Sequence, residues 1–359
     1  MNDSTILEIA GLRKEYGNFV ALKNIDLKVK EGEFLTIVGP SGSGKTTLIK
    51  LLVGMEEQTE GSIWLRNQRM DLVPANKRPT CMVFQSLALF PHRTVGQNVE
   101  FPLKIKGVPE KKRKDRALEL LDMFRLPSDY YNKSISQCSG GEKQRIALAR
   151  ALAFDPEIIF FDEPLSALDY RLRKTLEKEL KSLHLSTGKT FIYITHSLEE
   201  AMVMSDRIAI LRSGKFEQLG PADEIYNRPK SKFVASFMGD VNLFDIIIGT
   251  DNNQPEVSGF SHSNSIFSEY TIKNSMNNTL MVRPESIQLL NKGKQTDFTT
   301  EGRIIGRYLL GSRTQYEIEL TDKRVVVVEA SNHESDGQKG ENIALGFNLE
   351  HSHLIMEEA

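Results

Sequence analysis

Eight consecutive residues, Gly39, Pro40, Ser41, Gly42, Ser43, Gly44, Lys45 and Thr46, combine the residue types that a bound polyphosphate needs. Glycines let the backbone wrap closely around phosphate and aim N–H groups at it. Lys45 is spaced to reach the β- and γ-phosphates, and the Thr46 hydroxyl to ligate Mg²⁺. The ligand this pattern implies is a nucleoside triphosphate. Two acids, Asp162 and Glu163, follow the apolar run 158–161. Asp162 suits an acceptor that holds Mg²⁺ through its water shell, and Glu163 a base or water-orienting group for attack on the γ-phosphate. Ser139, Gly140 and Gly141 open the helical run 142–154 and offer a hydroxyl and bare N–H groups, a second anion site. One compact subunit does not easily bring both anion sites to one phosphate.

The elements that must hold these residues are legible from periodicity. The apolar run Phe34–Val38 leads into the glycine loop as a buried strand, and the run beginning at Thr46 and Thr47 leads out as a helix, whose N-terminus faces the anion. Further wholly apolar runs at 81–84, 158–161, 191–195 and 208–211 imply strands buried on both faces, hence a parallel α/β sheet. Residues 1–35 alternate apolar pieces with turns and predict antiparallel strands. From about 95 to 154 the pattern is helical, with Ala117, Leu120, Leu121 and Phe124 on one face. The basic run Lys111-Lys-Arg-Lys114 reads as the solvated face of that helix. Beyond 240, strand-like pieces at 243–248, 279–282, 302–305, 316–320 and 324–329 predict a separate β-barrel-like domain, with the polar stretch 250–268 as a long loop. The division expected is 1–239 and 240–359.

Composition narrows the class. A chain of 359 residues with 40% hydrophobic and 26% charged residues suits two globular domains. A formal net charge of −2 provides no basic field for nucleic acid, and no nucleic-acid partner is expected. Cys81 and Cys138 form no CxxC or Cys/His cluster, so neither a disulfide framework nor a zinc site is expected, and a reducing compartment fits. No secretory signal and no run of about 20 apolar residues is visible, so any membrane role must pass through a partner.

Cys138-Ser-Gly-Gly-Glu142, followed by Lys-Gln-Arg145, resembles the signature motif of ABC transporter ATPases. Other motifs of that family stand in register. Tyr16, 23 residues before Gly39, matches the aromatic that stacks on adenine. Gln85 matches the glutamine loop, Ser166-Ala-Leu-Asp169 the loop that communicates across the dimer, and His196 the switch histidine. The resemblance implies an α/β P-loop NTPase cassette with an antiparallel β subdomain and a helical subdomain. It implies that ATP is bound by residues 39–46 together with Tyr16 and Thr47, and Mg²⁺ by Thr46, Gln85 and Asp162. Glu163, His196 and Gln85 would serve catalysis. Two copies would pack head to tail, with Ser139, Gly140, Gly141 and Glu142 of one completing the site of the other and Asp169 signalling between them. Two departures are Cys138 in place of Leu and Glu142 in place of the commonest Gln. A small buried thiol can fill the first place, and an acid in a helix's first turn favours the dipole.

The segment Gln85-Ser-Leu-Ala-Leu-Phe-Pro91 resembles the importer surface that receives a helix from a membrane subunit, and its exposed apolar residues would form the groove. Val282-Arg-Pro-Glu285 resembles the OB-like accessory domain of importer ATPases for polyamines, ferric iron, sulfate, sugars or phosphonates. Ile225-Tyr226 and Phe237-Met-Gly-Asp-Val-Asn242 look most like spermidine/putrescine importers. The resemblance thus implies an importer ATPase on the cytoplasmic face of a bacterial inner membrane. Its partners would be a second copy of itself, two transmembrane permease subunits and, indirectly, an external solute-binding protein. The alternative class is a soluble ATPase regulator whose β domain binds a small ligand or a regulatory protein.

Overall fold

A computed structural model describes residues 4–166, 168–248, 255–262, 276–290, 295–332 and 337–358. Ala167 and the greater part of the expected loop 250–268 lie outside these residues. The chain divides into two compact units, Met1–Ala222 and Asp223–Ala359.

In the first unit, β1 (Thr5–Tyr16) and β2 (Phe19–Lys30) pair antiparallel, as the alternation of apolar residues predicts, and β4 (Glu60–Leu65) pairs with the other edge of β1. The central sheet runs Lys215–Gly220, Arg207–Arg212, β3 (Phe34–Val38), Thr190–Ile194, Ile158–Asp162, Thr80–Val83. Its inner neighbours are parallel and the Lys215–Gly220 edge strand is antiparallel. Period-2 alternation sends neighbouring residues to opposite faces of this sheet. Phe34, Ile159, Phe161, Phe191 and Tyr193 pack on one side, with the helical region. Leu35, Ile37, Ile158, Phe160, Ile192 and Ile194 pack on the other, with the helix Lys45–Val53 and the antiparallel strands. Each fully buried aromatic here contributes about 1.5–3 kcal/mol by leaving water, so the two cores fix the sheet's position.

The helical region consists of Val95–Ile105, Glu110–Met123 and Gly140–Ala153. Thr94 with Gln97, and Ser139 with Glu142, close capping boxes that satisfy N–H groups at two of these helices. Ala117, Leu120 and Leu121 are buried, while Lys111, Lys112 and Lys114 are exposed.

In the second unit, a sheet of Pro255–Val257, Asn242–Ile248, Met276–Val282 and Ser352–Glu358 accompanies a sheet of Gln288–Leu290, Asn342–Phe347, Phe298–Leu310, Arg313–Leu320 and Val325–Ser331. Tyr316, Ile318 and Leu320 point into a core shared with Phe244, Phe260, Phe298 and Phe347, whose rings stack and meet edge-on. Within the described part of 250–268, the strands Pro255–Val257 and Ser261–His262 replace the expected loop. The boundary also falls earlier than 239/240. Arg283, only 3% exposed, donates to the carbonyls of Tyr226, Ala235, Gly239 and Asp240, and Ala235 packs on Met281 and Ile355. These bonds hold the stretch after Ala222 to the β domain.

Candidate nucleotide site

The glycine loop joins β3 to the helix Lys45–Val53 at the carboxyl end of the sheet. A Cβ on Gly39 would lie 2.0 Å from the Leu211 carbonyl oxygen, so only glycine fits where the loop passes this strand. Gly44 ends the loop at φ 108°, a backbone angle closed to L side chains, and caps the helix. Ser41, Gly42 and Thr46 are exposed, Thr47 is half-buried, and Ser43 is buried with its hydroxyl unpartnered among the described residues. Lys45 is folded back over the loop, donating from Nζ to the carbonyls of Gly39 at 2.7 Å and Pro40 at 3.0 Å. Burial pulls its pKa below the usual lysine value, against the opposing pull of Glu163 and Asp162. A phosphate would restore the counter-charge that the two carbonyls supply only in part.

Asp162 ends its strand beside this lysine. Burial first, and the adjacent Glu163 second, push the Asp162 carboxyl above its ordinary pKa, while Lys50 and Lys45 draw it down. Glu163 adopts φ 46°, held by its N–H on the Ile194 carbonyl at 2.9 Å. Its Oε2 stands 3.2 Å from Nδ1 of His196, whose ring is 63% exposed. Beneath that ring, Tyr193 and Thr195 each donate to the buried Glu200 at 2.8 Å, and the Ser197 N–H donates to Thr195 Oγ1 at 2.9 Å. The turn presenting His196 is therefore fixed from below.

Gln85 is brought to the same place by Ser166. Gln85 Nε2 donates to Ser166 Oγ at 3.0 Å, and Ser166 Oγ donates to the Glu163 carbonyl at 2.9 Å. The sequence supplied Ser166 as part of a motif without a role; only proximity reveals the bridge. Asp169 caps the helix Tyr170–Thr187 by accepting from the Leu172 N–H at 3.0 Å. Tyr16 is 44% exposed. Its hydroxyl bonds Glu56, and the Lys14 ammonium lies 4.9 Å from its ring centroid.

The signature residues lie elsewhere. Ser139 and Gly140 are exposed at the start of Gly140–Ala153, a helix whose Ile146, Leu148 and Leu152 pack on the sheet face opposite to that of the Lys45–Val53 helix. Glu142 takes an N–H from Ser139 at 2.7 Å and the hydroxyl of Tyr130 at 2.6 Å, with Lys133 at 3.5 Å. The Tyr130 hydroxyl, before the Ser139 N–H, lowers the Glu142 pKa. Tyr130 was absent from the sequence reading because it reaches Glu142 only through the tertiary fold. Cys138 is buried, as a small hydrophobe in that place should be. In the segment 85–91 the expected exposed apolar groove is only partly present. Leu87, Leu89 and Phe90 are half-buried, whereas Gln85, Ser86, Ala88 and Pro91 are exposed.

Similarity to known proteins agrees with this geometry. Residues 22–166 match the ABC transporter family and residues 280–355 the TOBE domain. The spermidine/putrescine import ATP-binding protein PotA of Roseobacter denitrificans is 39% identical over 330 residues, covering 91% of this chain and 90% of the relative. The protein of that name from Haemophilus ducreyi is 41% identical over 355 residues, covering 96% and 95%. The ATP-binding cassette MJ0796, solved as a dimer in a post-hydrolysis state with ADP and Pi, superposes with a TM-score of 0.54 at 35% identity, covering 60% of this chain and 99% of that one. A phosphate loop, an acidic strand end and a separate signature helix on one parallel sheet, followed by a TOBE domain, place this chain in the ABC transporter family as an ATPase.

Proposed function

We propose that this chain is the ATP-hydrolysing subunit of a binding-protein-dependent importer of polyamines, spermidine and putrescine. The observation that carries the catalytic part is the pairing of Glu163 with His196 at 3.2 Å beside the Lys45 loop. The near full-length similarity to spermidine/putrescine import ATP-binding proteins supports the choice of solute. In this reading Lys45 exchanges the Gly39 and Pro40 carbonyls for the β- and γ-phosphates, and loop N–H groups with the helix N-terminus take up the remaining charge. Glu163 orients the attacking water and accepts its proton, and His196 holds the Glu163 carboxylate in place. Tyr16 offers its ring to the adenine.

Thr46, Asp162 and the Gln85 amide form a sparse oxygen set, which suits Mg²⁺ with its remaining places filled by water and phosphate. Burial first, and the adjacent Glu163 second, disfavour the charged form of Asp162, and a cation there would offset both. The ion would neutralise charge on the phosphate oxygens. Ser139–Gly141 sit on the far side of the sheet from the Lys45–Val53 helix, which supports a site completed by a second copy packed head to tail, with Asp169 at the shared seam. Among the described residues no helix is long and apolar enough to cross a membrane. In this reading two permease subunits hold the ATPase to the cytoplasmic side of the membrane, and the binding protein acts from the other side.

The test is uptake of labelled spermidine by vesicles carrying the complete complex, with putrescine, ferric iron and phosphonates as competitors. Uptake that requires ATP and is competed by putrescine is expected. Uptake indifferent to every polyamine would remove the solute assignment, and uptake that survives Lys45→Ala would remove the energising role.

A further inference from the structure

Tyr16 ends β1 with its side chain exposed, a setting in which an untethered aromatic moves between rotamers. Glu56 removes that freedom, because its Oε2 accepts from the Tyr16 hydroxyl. Burial first, and Glu56 second, raise the Tyr16 pKa against the opposing pull of Thr47, so the phenol keeps its proton and remains the donor. The Lys14 ammonium, 4.9 Å from the ring centroid, covers one face and leaves the other to a base.

Glu56 is itself mounted on the phosphate-loop helix. Lys45–Val53 ends at Gly54 with φ 81°, and the N–H groups of Met55 and Glu56 turn back to the Lys50 carbonyl at 2.8 and 3.3 Å. The Lys50 ammonium, in the last turn of that helix, stands 3.6 Å from Glu56 Oε1, and Lys14 Nζ stands 3.9 Å from Oε2. Thr59 ties the same turn to β1. Its N–H donates to the Arg13 carbonyl at 2.8 Å, and its Oγ1 accepts the Glu15 N–H at 2.9 Å. A nucleoside triphosphate is gripped at both ends, so the ring that meets the base and the loop that meets the phosphates must keep one separation. We propose that Glu56 is a positioning residue for nucleotide binding. It locks the Tyr16 ring to the far end of the helix that begins at Lys45 and Thr46, so that one nucleotide meets ring and loop together. A ring held before binding loses little freedom when a base stacks on it.

This inference rests on the reading of Tyr16 as the partner of adenine, and the experiment separates the two. Affinity of the full chain for a labelled non-hydrolysable ATP analogue is measured by equilibrium dialysis. Inorganic tripolyphosphate, which has no base, is the competitor. Tyr16→Ala should weaken the analogue by roughly five-fold or more. Glu56→Met and Tyr16→Phe should each weaken it by about three-fold or more, and the double variant no further than the worse single. Tripolyphosphate should compete as in wild type, with kcat for ATP within about two-fold. Glu56→Gln, which keeps an acceptor, should recover most of the affinity. Tripolyphosphate weakened in parallel with the analogue would show that Glu56 only supports the loop helix, and overturns the inference. Wild-type affinity in Glu56→Met or Tyr16→Phe overturns it too, as does additivity in the double variant. If Glu56→Met does not fold, Tyr16→Phe, which removes the same bond from the other side, decides. Wild-type affinity in Tyr16→Ala overturns the stacking reading, and this inference with it.

Discussion

Gly39 and Gly42 are both glycines of the phosphate loop, yet the structure assigns them different reasons, and substitution separates the two. In Gly39→Ala the new Cβ would stand 2.0 Å from the Leu211 carbonyl. That oxygen cannot retreat, because its strand, Arg207–Arg212, is paired with β3 along Leu35 to Val38. The loop must therefore withdraw, by about 1.4 Å before the ordinary 3.4 Å contact is restored. Displacement of a reacting group by about 1 Å costs on the order of 100-fold, or about 2.7 kcal/mol. Overpacking adds about 1–3 kcal/mol of lost stability. Gly42 has φ +75° and open space where its Cβ would go. Gly42→Ala costs only its left-handed backbone, about 1–2 kcal/mol, or roughly ten-fold, with no shift of the loop. Single-turnover ATP hydrolysis, paired with thermal unfolding to set aside global instability, measures both. A hydrolysis rate of Gly39→Ala within about three-fold of wild type, or a slower rate in Gly42→Ala than in Gly39→Ala, would refute the steric argument.

Two further outcomes follow from the site. Glu163→Gln keeps the hydrogen-bonding shape beside His196 but removes the base, so ATP binding should persist while turnover falls by about 10²–10⁴-fold; turnover near wild type would move the base elsewhere. Glu142→Gln preserves the capping box but loses the charge in the bonds from Tyr130 and Ser139, about 1 kcal/mol, which lowers Tm by roughly 2–4 °C near pH 7. Because the folded pKa of Glu142 lies below its ordinary 4.5, this advantage of the wild type is complete above that value. It should vanish as pH falls through the lower folded value, where both side chains are neutral. A Tm difference independent of pH in calorimetry would show that the carboxylate charge is not its source.

Much of the nucleotide site was legible because its parts are local. A strand, a glycine turn and a helix are contiguous from Phe34 to Val53, and Asp162 ends its strand with Glu163 directly after it. Period-2 alternation at Tyr316, Ile318 and Leu320 gave that strand its inward face correctly. The boundary at Ala222 was not legible, because it depends on Arg283, some fifty residues later, gathering the carbonyls of Tyr226 to Asp240. The half-burial of Leu87, Leu89 and Phe90 was missed for a related reason. Their hydropathy is apolar in either setting, and it is Arg150 and Asn98 that fold them in.

The sequence by itself determined the ligand class. Glycine, lysine and hydroxyl at fixed spacing specify a phosphate cradle wherever a strand enters and a helix leaves. What only the tertiary structure decided is which distant groups meet. It bridges Gln85 to Glu163 through Ser166, sets Glu142 under Tyr130, and closes Lys45 on its own loop. It also puts the helices Lys45–Val53 and Gly140–Ala153 on opposite faces of one sheet. The physical reason is that hydrogen bonds act over about 3 Å in space whatever the separation along the chain, so they become visible only after the sheet has brought their partners together.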